Sequence, residues 1–127
     1  LEIDDNLIAD GDGGIRGGIH AVAQLLDLSE PPTAIFCFND LTAIGAINAL
    51  RQRGYEVPRD MSVAGYDDLE MAAYYYPALT TVRQQTYQLG KIAVNMLLKL
   101  INSDDDVAPE VVEPKLIVRQ STALVGA

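Results

Sequence analysis

Five side chains rich in hydrogen-bond acceptors, Asp12, Asn39, Asp40, Asp67 and Asp68, each follow a short apolar run. If those runs are parallel strands, the five gather on one edge of a sheet, where open α/β sheets bind ligands. An ionised carboxylate only accepts hydrogen bonds, whereas Asn both donates and accepts. The set therefore suits a neutral ligand with many O–H or N–H donors, such as a sugar, nucleoside or purine. A phosphorylated ligand would need countercharge from Arg16 or Arg83. Asp67 is the leading ligand candidate. Asn39 or Asp40 is expected to cap a helix, with Asp40 the stronger capping candidate, and Asp68 is weighed as a cap for the next turn.

Other chemistries fit less well. Asp12, Asp67 and Asp68 offer hard oxygens that magnesium would accept, but phosphotransfer at such a site needs a positioned lysine, and none precedes Lys91. His20 falls mid-helix with no nucleophile beside it and reads as a surface residue. The stretch Gly11 to Gly18 lacks the Gly-Lys-Ser/Thr ending of a phosphate loop and does not fit the dinucleotide fingerprint. Cys37, the one cysteine, lies inside an apolar run and reads as a small buried hydrophobe.

The elements that must position these residues alternate in type. Asn6 to Ala9 reads as a short strand, and apolar spacing predicts a helix from Ile15 to Leu28. Thr33 to Phe38 reads as a strand covered on both faces. A helix follows, with Leu41, Ile44, Ile47 and Leu50 on its buried side and Gly54 after its end. Met61 to Tyr66 is the next strand, Leu69 to Tyr76 a helical turn or two, and Leu79 to Arg83 another strand. The longest helix starts near Thr86, with Leu89, Ile92, Ala93, Met96, Leu97, Leu100 and Ile101 as its stripe. An acidic loop from Asn102 to Pro109 and two extended pieces, Glu110 to Glu113 and Lys115 to Gln120, complete the chain. This alternation predicts an α/β fold with a mostly parallel sheet flanked by helices. Three successive tyrosines, Tyr74, Tyr75 and Tyr76, cannot all face one core, so a subunit interface or a wedge between core and surface both remain open.

The 127 residues are enough for one domain, and 49% hydrophobic with 21% charged is the balance of a globular protein. No apolar run reaches the roughly 18 residues of a membrane span. A net charge of −9 repels phosphate backbones, so this segment is not expected to touch nucleic acid itself. The chain does not begin with Met, and an upstream part is expected.

In order and at family spacing, PPTAIFCFNDLTAIGAINAL (Pro31 to Leu50), VPRDMSVAGYDD (Val57 to Asp68), LTTVRQ (Leu79 to Gln84), LGKIAVNMLL (Leu89 to Leu98) and VRQST (Val118 to Thr122) resemble the LacI/GalR family of bacterial transcriptional regulators. The resemblance runs from about Leu7 to Ala123. It implies a cytoplasmic, non-enzymatic repressor with no cofactor or metal. Such a protein has an N-terminal helix-turn-helix and a periplasmic-binding-protein-like effector domain of two subdomains. The chain would be a single fragment, residues 1–127, of the C-terminal subdomain, with headpiece, hinge and first subdomain outside it. Operator DNA would be met only through the absent N-terminal domain.

The family pattern puts effector contacts at Asn39, Asp67, Gly13 and Thr86. The last two positions are usually aromatic in the family. Neither is aromatic here, which speaks against a ligand ring stacked at either; Tyr87 follows Thr86 but would point elsewhere. The implied effector is a small molecule, a sugar or related polyol. The implied homodimer surface includes Ile44 and Ile47 on the helix after Asn39 and the segment Tyr74 to Tyr76. The helix from Thr86 and the strand near Lys115 normally belong with the first subdomain, so dimerisation is expected to cover the Leu89–Ile101 face. A solute-binding protein of a transport system shares the fold and is the alternative.

Overall fold

The computed structural model describes residues 4–102 and 107–124. Strands β1 (Ala34–Phe36), β2 (Ser62–Asp67), β3 (Thr80–Arg83) and β4 (Lys115–Ile117) lie side by side in that order. The first three are parallel, with Ala34 beside Ser62 and Ala64 beside Thr80; β4 runs antiparallel to β3, pairing Lys115 with Arg83. Helices α1 (Ile15–Leu26), α2 (Asp40–Gln52), α3 (Glu70–Tyr74) and α4 (Thr86–Ile101) fill the connections. The class is α/β with a mostly parallel sheet, as the alternation predicts.

The core lies between one sheet face and α2. Ala43, Ile47 and Leu50 meet Val63, Met61 and Leu79 there, and Val22 of α1 packs in behind. Each fully buried side chain of this size stabilises by about 1.5–3 kcal/mol. Helices α1 and α2 approach so closely that glycine is required at the crossing. A β carbon on Gly45 would lie 2.1 Å from the Ile15 carbonyl oxygen, and one on Gly18 would lie 2.2 Å from that of Thr42. The weak helix propensity of Gly18 is thus exchanged for helix–helix contact.

Four expectations are corrected. The strand at Asn6–Ala9 is instead a 3-10 turn over Asp5–Leu7. Asp4 Oδ1 accepts from both the backbone N and Nδ2 of Asn6, which turns the chain before it can join a ladder. Ile44 and Ile47 are 2% and 0% exposed inside this chain's own core, so they have no free surface for a partner. The sheet is covered on one face only, and Phe36 on β1 is 67% exposed on the other. The stripe of α4 forms its helix, but no residue of it is buried. Glu110 to Glu113 forms no strand, and β4 is shorter than the extended piece expected at Lys115 to Gln120. Part of the acidic loop, Asp104 to Asp106, lies outside the described residues.

Candidate functional site at the carboxyl ends of the strands

Asn39, not Asp40, caps α2. Its Oδ1 accepts from the Thr42 N–H at 2.8 Å, while its Nδ2 donates to the Gly13 carbonyl at 2.9 Å. One amide therefore ties β1's end to the turn before α1. That turn is held in its own right: Asp12 Oδ1 accepts from the Gly14 N–H at 2.9 Å, and Gly13 sits at φ +82. A side chain at Gly13 would face both a left-handed backbone and the Phe38 ring.

Asp40 is fully buried. Its Oδ1 accepts from Thr81 Oγ1 at 2.5 Å and its Oδ2 from the Leu69 N–H at 2.7 Å. The carboxylate thus joins the start of α2 to β3 and to the chain leaving β2. Burial raises its pKa above the ordinary value, against the two hydrogen bonds, and the nearby charges of Asp67 and Asp68 add to the rise. Asp40 is a brace beneath the sheet edge, neither cap nor ligand contact.

Asp68 is also bound into the protein. Its side chain is 7% exposed, and it accepts from Arg83 Nε at 2.5 Å and Arg119 Nη2 at 2.6 Å. Burial is the largest single influence and opposes ionisation. The hydrogen bonds and charges of Arg119 and Arg83 together outweigh it and hold the carboxyl below the ordinary range. With both oxygens engaged by guanidinium groups, Asp68 is not available to a cation, and it does not cap α3. Among the described residues, no three His, Cys, Asp or Glu side chains stand close enough to hold a metal ion. Arg83, the suggested phosphate partner, is committed to Asp68.

Asp67 differs from its neighbour. It ends β2 at φ 112, and Asp68 follows at φ 56. Two successive non-glycine residues in this region store backbone strain, about 1–3 kcal/mol at each such position. Gln84 Nε2 donates to Asp67 Oδ1 at 2.7 Å, and Oδ2 has no hydrogen bond among the described residues. Since Ala34 pairs with Ser62, the register carried forward puts Asn39 beside Asp67. The sheet edge therefore gathers Gly13, Asn39 and Asp67. Thr86 lies two residues past Gln84 as the exposed first residue of α4 and has no hydrogen bond to the others among the described residues.

Two supporting groups escaped the sequence reading. Gln84 aims Asp67. The VRQST segment stitches the opposite end of the sheet: Ser121 Oγ donates to the Val63 carbonyl at 2.6 Å and accepts from the Thr80 N–H at 2.8 Å. Arg119 Nη1 also donates to the Leu79 carbonyl at 2.8 Å. Their partners lie 40 or more residues away in sequence, so no local pattern signals them.

A family model described as a periplasmic binding protein-like domain matches residues 5–122. The HTH-type transcriptional repressor PurR of Salmonella paratyphi B is 42% identical over 124 residues, which cover 97% of this chain and 36% of that protein. The chain thus spans a little over a third of the length of this relative. Among solved structures, a transcriptional regulator CelR–cellobiose complex is 34% identical with a TM-score of 0.86, covering 95% of this chain and 37% of the other. A lac repressor dimer bound to operator and the anti-inducer ONPF is 35% identical with a TM-score of 0.82, covering 88% and 39%. The chain belongs to the periplasmic binding protein-like domain family, within which it matches the C-terminal part of the effector-binding domain of LacI/GalR-family transcriptional regulators.

Proposed function

We propose that this chain forms one wall of the effector cleft of a cytoplasmic, dimeric repressor that does no catalysis and meets operator DNA through residues outside it. The carrying observation is a match to a repressor over 97% of the chain, laid on a sheet edge that gathers Gly13, Asn39 and Asp67. Effector binding would favour one arrangement of the two subdomains and so shift the dimer between DNA-competent and DNA-incompetent states. Acceptors outnumber donors at the edge, and a related regulator was solved with cellobiose, which supports a neutral, hydroxyl-rich effector, sugar or polyol. Thr86 would take a place at the far rim. A solute-binding protein is the alternative on fold alone; the repressor relatives favour the regulator.

For the dimer surface, Tyr74 and Tyr76 are 83% and 75% exposed. Tyr75 turns inward, donating to Asn48 Oδ1 at 2.6 Å. Arg51 sits 5.9 Å from the Tyr76 ring centre, presenting a cation and an aromatic together. Tyr74 and Tyr76 are the proposed contacts, without Ile44 and Ile47.

The test uses Asp67→Gly in the full-length protein. Glycine accepts the φ 112 backbone, relieving strain of about 1–3 kcal/mol against about 1 kcal/mol of extra freedom in the unfolded chain. Stability is expected to hold or rise while effector-driven operator release disappears. An unchanged release titration defeats the assignment.

A further inference from the structure

Phe38 stands one residue past the last cysteine of β1's ladder and one before Asn39, yet it is 64% exposed. Its ring reaches across to the turn before α1. A β carbon at Gly13 would lie 3.3 Å from Phe38 Cζ and 3.6 Å from Cε1, so the ring tip rests against that turn. The Asn39 amide would lie 3.9 Å from the same β carbon, and it pins the turn by donating to the Gly13 carbonyl. Glycine at position 13 leaves the ring's surroundings open where any side chain would crowd it. An aromatic side chain has few rotatable bonds, so it offers a large apolar face at small entropic cost.

We propose that Phe38 is a stacking platform for the effector and selects a ring-shaped molecule with one apolar face and donors on its edge. This rests on the effector-cleft reading of the same strand ends. Parallel strands lie about 4.8 Å apart, which is close to the width of a six-membered ring with one substituent. A ring lying on Phe38 would therefore bring its edge to Asp67 on the adjacent strand, where Oδ2 has no partner among the described residues. A pyranose offers such a face through its C–H bonds, and a purine offers one through its π surface.

Calorimetric titration of the full-length protein with cellobiose, adenine and the ring-free polyol mannitol tests the proposal. Binding of cellobiose or adenine but not mannitol is expected, and which of the two binds names the source of the ring. Phe38→Ala should weaken that binding roughly tenfold or more, as loss of one stacked aromatic does, with an unchanged melting temperature. Phe38→Tyr should restore it to within about threefold, since the face is kept. Unchanged affinity in Phe38→Ala, with affinity lost in Asp67→Gly, overturns the platform and leaves the cleft reading standing. A lowered melting temperature with unchanged affinity also overturns it and assigns the ring to packing with the Phe36 face. Binding of mannitol alone, or of none of the three, overturns it as well. The operator-release assay of Asp67→Gly then decides the cleft reading separately.

Discussion

Helices α2 and α4 have similar lengths and opposite fates. Nine of the 13 residues of α2 are buried, whereas none of the 16 in α4 is. Yet α4 carries the plainer apolar stripe, and α2 is broken up by Ala, Thr, Asn and Gly. An apolar stripe states that a helix needs a partner, while burial depends on whether the partner is there. Small residues serve α2 because α1 and the sheet press on it from two sides. The long side chains of α4, with Leu97 at 56% and Ile101 at 67% exposed, suit a partner that has to be reached.

The sharpest way to break this comparison is a pair of truncations in the 127-residue chain. Leu50→Ala should cost about 2–5 kcal/mol by denaturant melting. Leu97→Ala should cost under about 0.5 kcal/mol. Equal costs would mean that α4 is covered in solution, and the same melts at several protein concentrations would show whether a second copy covers it. Next in size, Gly45→Ala forces α1 and α2 apart at the Ile15 carbonyl. It should destabilise by about 1–3 kcal/mol, whereas Gly90→Ala in α4, where an added β carbon meets nothing within 4 Å, should stabilise slightly.

Asp68→Asn probes the seam between the covered side and β4, and should cost about 1–3 kcal/mol near neutral pH. The native Asp68 pKa is lowered, so its contribution is complete above the ordinary carboxylate value and is lost as pH falls through the native one. The gap between variant and wild type should therefore close on acidification below about pH 4. Asp40, with its pKa raised, works in the opposite sense in both proteins and cancels in that difference. The smallest effect concerns Cys37 on the covered side. Burial pushes its thiol up to about 12. Labelling of the native chain at neutral pH should be slow and should speed up only with denaturant.

Most of the helices were legible because each carries a local period, and β1 to β3 because each apolar run stops at polar residues. The failures have nonlocal causes or competing local ones. Asn39 and Asp40 both suit a cap by composition. Only the arrival of Thr81 from β3 draws Asp40 inward and leaves the cap to Asn39. Asp67 and Asp68 look alike in sequence, and Arg119, from 51 residues further on, separates them. The strained backbone at both has no sequence signature, since neither is glycine. At Asp4, one carboxylate outcompeted a ladder that the apolar run alone would favour.

The Ser121 stitch has a consequence for how the protein is made. Ser121 follows Thr80 by 41 residues and Val63 by 58, so both strands leave the ribosome well before it. Until Ser121 arrives, the Thr80 N–H and the Val63 carbonyl have only water to bond. The nascent sheet can collapse against α2 early, but its base stays wet and exchangeable until translation passes Thr122. A stalled or shortened product ending before Arg119 would then present an unfinished sheet edge to chaperones and proteases, with its hydrophobic core already in place.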